Sequence, residues 1–386
     1  METMAEGPIE IPVYKPYFYG RERQYIDECL DGLWIAKGPF ISRFEEQFAL
    51  YLGGGVHATT VCNGTAALQL ALLSLGLGPG DEVLVPSLTY IASVNAIAHA
   101  GATPVLVDSL PSTWQIDPDD ARRKVTSRTK AMLIVHLYGQ PCEMDQLLQI
   151  CQERSLWLVE DCAEAFGATY RGRSVGTFGD ISTFSFFGNK TITTGEGGMV
   201  TSANADLIYK AEHLKGQGVS PTREYWHDEL AFNFRMNNIC AAIGLAQLEQ
   251  ADEILKKKRQ VAEWYQAGLR GVPVELHGEA EGTTHSFWLC SALAADEQTR
   301  DALRAHLRSD GIETRPVFHP AHTMPVFPST LPFPVADSIS RRGFSLPSYP
   351  ALTEELVGRV CASIRNFYAT QEEVSLARPI SLAGSA

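Results

Sequence analysis

No apolar run in this sequence is long enough to cross a bilayer, because each is broken well before the roughly 18 residues that a span requires. Nor is there a surplus of positive charge. The 45 acidic residues against 32 basic ones leave a formal charge of −13, which excludes a broad footprint on a nucleic-acid backbone. A small anionic ligand held by a few placed donors stays compatible with that charge. The eight cysteines, at 29, 62, 142, 151, 162, 240, 290 and 361, include no C-x-x-C pair, which reads as reduced thiols in a cytosolic protein. Residues 1–16 carry acids and prolines without a basic start or an apolar stretch, so no secretory signal is expected. Internal repeats are absent. What is present is an ordinary globular composition, 45% apolar and 20% charged over 386 residues, which excludes a disordered or fibrous chain. At about 150 residues per domain that length suggests two to three domains, with a core that needs no disulfide staples.

From about residue 61 to 201 apolar runs alternate with helical stretches. Helices are expected over 66–75, 90–99, 117–125 and 144–155. Strands are expected over 82–86, 103–107, 132–138, 157–160 and 181–187. Strands separated by 10–15-residue helices argue βαβ units on a mostly parallel sheet covered on both faces, and continuous runs such as Leu133-Ile134-Val135 fit buried parallel strands. Beyond residue 238 the pattern changes to two long helices, 239–259 and 260–269, with Lys256-Lys257-Lys258-Arg259 read as a solvated face. Strands at 271–275 and 287–293 and helices at 299–310 and 352–366 then describe a smaller α+β unit. The proline-rich segment 315–334 reads as a structured loop. The expected division is a large domain over 1–250, a small domain over 251–370 and a loose tail over 371–386.

Ligands of open α/β sheets sit at the carboxyl ends of the strands, and four segments place polar residues there. Asn63-Gly64-Thr65-Ala66 opens a helix, where free amides and a hydroxyl could face an anion or Asn63 or Thr65 could simply cap the helix. Glu160-Asp161-Cys162-Ala163-Glu164 follows a strand. A carboxylate there is costly unless a cation pairs with it, and a helix cap is the plainer reading. In Thr183-Phe184-Ser185-Phe186-Phe187-Gly188-Asn189-Lys190 a lysine ends an aromatic strand. Burial would make its amine a nucleophile able to form a Schiff base, whereas a snorkelling lysine would reach water. The fourth segment, Phe232-Asn233-Phe234-Arg235, says nothing by itself. Together the four fit one ligand, an aldehyde with a pyridine ring and a phosphate. Lys190 would form the imine, Asp161 would hold the pyridinium proton, and Gly64, Thr65 and Ser185 would hold the phosphate.

Two other patterns lead elsewhere. Gly76-Leu77-Gly78-Pro79-Gly80 follows a helix and precedes a strand, the reverse of a dinucleotide fingerprint, and reads as a turn. His319-Pro320-Ala321-His322 lacks further ligands at usable spacing, so no metal is expected.

These motifs resemble those of the DegT/DnrJ/StrS family of sugar aminotransferases, from roughly residue 12 to 367. The segments that carry the likeness are Pro86-Ser87-Leu88-Thr89-Tyr90-Ile91-Ala92-Ser93, His136-Leu137-Tyr138-Gly139-Gln140, Glu160-Asp161-Cys162-Ala163-Glu164-Ala165, residues 179–190, Gly195-Glu196-Gly197-Gly198, Leu214-Lys215-Gly216-Gln217-Gly218, residues 241–248 and Gly311-Ile312-Glu313-Thr314-Arg315-Pro316. The resemblance implies an α/β fold of the aspartate-aminotransferase type (fold type I), with a mostly parallel seven-stranded sheet in the large domain and a smaller α+β C-terminal domain. It also implies pyridoxal 5′-phosphate as cofactor, with Lys190 the Schiff-base lysine and Asp161 the pyridine-nitrogen partner. Glu164 would stand beside the phenolic oxygen and Tyr90 would stack on the ring. Gly64, Thr65, Ala66 and Ser185 would cup the phosphate. Asn233 would reach the phosphate of a neighbouring subunit, making a homodimer the minimal active unit, and Trp226, Arg315 and His322 are candidate substrate contacts. The implied reaction moves an amino group from L-glutamate to a nucleotide-linked 4-keto-6-deoxyhexose, with GDP-4-keto-6-deoxy-D-mannose the expected acceptor and dTDP-, UDP-linked or 3-keto sugars the alternatives. A sugar dehydratase would be expected to carry histidine at position 190, and a non-catalytic relative would have no reason to keep Lys190, Asp161, Tyr90 and Ser185 together. An aromatic-proline pattern usual near residues 225–230 is replaced by Tyr225-Trp226-His227-Asp228-Glu229-Leu230, and Cys162 stands where alanine is common.

Overall fold

A computed structural model describes residues 8–376. Its central element is a seven-stranded sheet of β1 (His57–Val61), β2 (Glu82–Pro86), β3 (Thr103–Val107), β4 (Thr129–Val135), β5 (Trp157–Asp161), β6 (Ile181–Ser185) and β7 (Gly198–Ser202), in the spatial order β1-β7-β6-β5-β4-β2-β3. Pairs β2/β3, β2/β4, β4/β5 and β5/β6 are parallel, while β7 runs antiparallel to both β1 and β6. The sheet is therefore mostly parallel, as the continuous apolar runs require. Strands β2 and β7 are buried along their whole length and β4 is buried at all but one position. Helix Gly64–Ser74 packs an almost wholly apolar sequence against the sheet, burying Ala67, Leu70, Ala71 and Leu72. On the other side Phe44, Phe48, Phe184 and Phe186 form an aromatic cluster with ring centroids 4.9–5.9 Å apart, a spacing at which edge-to-face contact adds to area burial.

A second sheet follows the order Glu275–Leu276, Cys290–Leu293, Gly343–Leu346, Arg315–Pro316, all antiparallel. Helices Ala251–Gly268, Glu297–Ser309 and Glu354–Leu376 cover it through a separate apolar cluster that includes Tyr265, Leu303, Leu307, Phe344 and Ile364. Ile11 joins that cluster and bridges Ile312, so the start of the described chain touches this second unit.

Several elements differ from expectation for local reasons. The strand expected over 132–138 is Thr129–Val135: the chain leaves the sheet at His136, and Tyr138 (φ 57°) and Gly139 (φ +102°) make a tight turn. The long helices break at Gln250, not near residue 259. Within 315–334 lie a short strand and a turn, and helix Pro334–Arg342 then starts with proline at its first position, where the missing N–H costs nothing. The last helix continues to Leu376 and so occupies part of the expected tail, whose remainder lies outside the described residues. The basic run 256–259 is not a uniformly solvated face. Lys258 is 4% exposed and donates to the carbonyls of Trp288 and Ser348, and Arg259 bonds Glu279 and the His285 carbonyl.

Candidate active site

A cavity of about 330 Å³ opens at the carboxyl ends of β4, β5 and β6, walled by Asp161, Glu164, Lys190, Tyr90, Gly64 and Ser185, among others. Each is there for a local reason. Asn63 caps helix Gly64–Ser74 by accepting from the Ala66 amide at 2.8 Å, which leaves the Gly64 and Thr65 amides at the helix N-terminus for an anion. The cap and the anion cradle therefore coexist. A Cβ on Gly64 would meet Ser185 Cβ at 2.7 Å and Oγ at 3.0 Å, so glycine is what lets the helix start approach the Ser185 hydroxyl. Ala66 is buried in the first helical turn and does not line the cavity.

Asp161 closes β5. Its carboxylate accepts from Ser93 Oγ at 2.8 Å and from the Ala163 amide at 3.0 Å, and burial still pushes its pKa up. A buried carboxyl in that state gains most from a cation or an N–H donor placed against it. The neighbouring Glu160 points to the opposite side. Burial there is outweighed by His136 Nε2 at 3.1 Å and by the amides of Gly179 and Gly176 at 2.6 and 2.8 Å, so its carboxyl is held low. His136, Glu160 and Cys162 have ligand atoms within 4.8 Å of one another. Both nitrogens of His136 are already engaged, Nε2 by Glu160 and Nδ1 by the Cys142 amide at 3.0 Å, and its main-chain amide donates to the Asp161 carbonyl.

Lys190 has a side chain 12% exposed, with Nζ 3.6 Å from Glu164 Oε1. Burial pushes the Glu164 carboxyl up to about 7, against the opposing pull of Lys190 and of the Tyr138 amide, which donates at 2.9 Å. Near neutrality Glu164 can therefore hold a proton or release it. Tyr90 is exposed on the rim, with Phe318 5.6 Å from it. Trp288 and Phe318, from the second unit, complete the wall. Sequence reasoning did not find these two aromatics, and it gave Ser93, the last residue of the Pro86–Ser93 segment, no role of its own.

Besides Ala66, four candidates lie outside this cavity. Asn233 is exposed, with Oδ1 accepting from Arg235 Nε at 3.1 Å. Trp226 is half exposed, with the Arg223 guanidinium 3.8 Å from its ring centroid. Arg315 is exposed and pairs with Glu313 at 2.6 Å. His322 spans Ser87 Oγ (2.7 Å) and Asp337 (3.1 Å), fastening its loop to the end of β2.

The donor set fits pyridoxal phosphate in three respects: a glycine-walled helix N-terminus for the phosphate, a buried carboxyl for the ring nitrogen, and one amine at the aldehyde position. Fold and site together define a pyridoxal-phosphate-dependent aminotransferase of fold type I. Comparison with known proteins narrows the class: residues 17–365 match the DegT/DnrJ/EryC1/StrS aminotransferase family, and the chain belongs to it. Its relatives include the GDP-perosamine synthase of Escherichia coli O157:H7, 52% identical over 93% of this chain and 98% of that protein. The GDP-perosamine synthase of Vibrio cholerae is 49% identical over 93% and 99%. Among solved structures, DesV of S. venezuelae in complex with a ketimine intermediate superposes with a TM-score of 0.88 at 35% identity, covering 94% of this chain and 99% of that one. The PLP-form of Streptococcus pneumoniae Spr1654 gives 0.88 at 28% identity over 94% and 99%.

Proposed function

We propose that this enzyme transfers the amino group of L-glutamate to GDP-4-keto-6-deoxy-D-mannose and so makes GDP-perosamine. One observation carries the substrate assignment: the three relatives between 48% and 52% identical, over nearly their whole lengths, are all GDP-perosamine synthases. When bound, pyridoxal phosphate supplies an electrophilic carbon that accepts the amino group and a ring that draws electrons from the reacting bond. The protein's part follows from the cavity. Gly64, Thr65 and Ser185 bind the phosphate, and Asp161, held by Ser93, keeps the ring nitrogen protonated. Glu164, poised near neutrality, shares a proton with the ring oxygen. Lys190 Nζ would anchor the cofactor and, once freed, would move a proton between the substrate carbon that bears the nitrogen and the cofactor carbon, in one direction with the amino donor and in the reverse direction with the acceptor. The enzyme works as a cytoplasmic homodimer in this reading. Eight free thiols support a reducing compartment, and an exposed Asn233 outside its own cavity supports a role at a neighbouring subunit's phosphate.

The test is to incubate the protein with glutamate and a panel of GDP-, dTDP- and UDP-linked keto sugars and to identify products by mass and NMR. Amination at C4 of the GDP sugar is expected. Turnover of a dTDP or UDP sugar in its place would overturn the substrate assignment. Borohydride reduction with peptide mapping should place the cofactor label on Lys190.

A further inference from the structure

Trp288, from the second unit, lies against Lys190. Trp288 is 4% exposed, and Lys190 Nζ lies 4.0 Å from its ring centroid, well inside cation–π range. The same indole donates through Nε1 to the Asn189 carbonyl at 2.8 Å, so it grips both the lysine's charge and the main chain from which that side chain departs. The tryptophan is itself fixed from three directions. Its carbonyl accepts from buried Lys258 Nζ at 3.1 Å, and its ring stacks on Tyr138 at 5.8 Å and 17°. The segment it belongs to runs against Gly139, where any Cβ would meet Ser286 Oγ at 2.5 Å and the Trp288 amide at 3.1 Å, and where Ser286 N donates to the Gly139 carbonyl at 3.0 Å. A ring so constrained offers a fixed patch of negative potential opposite the Glu164 carboxyl.

We propose that Trp288 is the positioning residue of Lys190: its ring face stations the released ammonium at the mouth of the cavity, beside Glu164, whenever the lysine is not bonded to cofactor. This rests on Lys190 being the cofactor lysine. Between the two halves of the reaction the amine then stays within reach of the carbon it must protonate and does not swing to solvent. Lys190 retains a fixed direction of approach because the indole N–H also holds the Asn189 carbonyl.

Competitive acetylation of the cofactor-free protein, quantified by peptide mass spectrometry at one pH, reads the effect directly. Trp288→Leu should raise the acetylation rate of Lys190 by about 2- to 30-fold, the range a cation–π contact commands, while exposed Lys256 reacts as before. Trp288→Phe, which keeps a ring, should restore most of the protection. Biosynthetic replacement of tryptophan by progressively fluorinated analogues preserves ring shape and drains its face of negative potential, so Lys190 protection should fall stepwise with fluorine content. This series also serves if Trp288→Leu fails to fold. In the loaded enzyme Trp288→Leu should lower kcat with little change in KM for either substrate. Lys190 reactivity indifferent to fluorination would overturn the proposal. A borohydride label on another lysine would instead overturn the assignment beneath it, and the two failures are separate readouts.

Discussion

Ser93 offers the sharpest test of how the fold prepares the ring-nitrogen site. Its hydroxyl is buried and donates to Asp161 Oδ2 at 2.8 Å, and one further protein donor, the Ala163 amide, holds the other oxygen. Burial already pushes the Asp161 carboxyl up, and these two hydrogen bonds oppose it. Ser93→Ala removes one of them at the cost of a single oxygen atom, in the first turn of helix Ala92–His99. A hydrogen bond to a charged acceptor is worth about 1.5–3 kcal/mol, so the charged form of Asp161 loses that much support and its pKa rises further. Cofactor affinity depends on Asp161 being able to pair with a protonated ring nitrogen, and it should fall about ten- to a hundredfold. The loss should be larger at pH 6 than at pH 8, because low pH favours the neutral carboxyl. Titrating cofactor-free wild-type and variant protein with pyridoxal phosphate, followed by absorbance at several pH values, measures both quantities. Equal affinities with the same pH dependence would refute the reasoning. Ser93→Thr, which keeps the hydroxyl, should recover most of the difference if its added methyl is tolerated.

Three further outcomes follow from the same geometry. Lys190→Ala should lower turnover by at least the roughly 10²–10⁴-fold typical of a general acid–base group, while desalted protein keeps non-covalent cofactor through the phosphate cradle and Asp161; a variant that loses its cofactor entirely would show the cradle to be weaker than described. Gly139→Ala should cost about 1–3 kcal/mol of stability, because its φ of +102° suits glycine and the new Cβ would collide with Ser286 Oγ and crowd the Trp288 amide; chemical denaturation reads this, and a neutral result would mean that the 286–288 segment can retreat. Finally, burial pushes His277 down to about 4 and His285 well below its ordinary value. A lowered folded-state pKa means that the unfolded chain takes up protons first, so stability is fully present above about pH 6.5 and lost as pH falls toward about 4. His277 alone contributes about 3 kcal/mol to that loss. Denaturant midpoints unchanged between pH 7 and pH 4.5 would contradict it.

The alternation of apolar runs with helical stretches determined the sheet's nature because a parallel strand buried on both faces has almost no freedom of composition. Leu133-Ile134-Val135 is readable as such a strand without any structure. The residues whose chemistry is local to one turn were equally legible: Gly64-Thr65 at a helix start, Asp161 at a strand end and Lys190 after an aromatic strand each announce themselves by neighbours in sequence. What the sequence could not show is which elements meet. Lys258 looks like part of a solvated basic run, yet folding carries it inside to hold two carbonyls, a placement decided by the packing of helix Ala251–Gly268 against segments thirty and ninety residues away in the chain. Glu160 and Asp161 are adjacent carboxylates with opposite fates, because the strand's two-residue period turns one toward five hydrogen-bond donors and the other toward the cavity. Trp288 and Phe318 come from a unit with no local motif pointing to the site, and only the docking of that unit against Gly139 brings the Trp288 ring to Lys190 and the Phe318 ring to the cavity wall. Local periodicity and turn chemistry are written residue by residue; the surroundings that set a carboxyl's charge or a lysine's aim are made of distant segments, and they exist only once the chain has closed on itself.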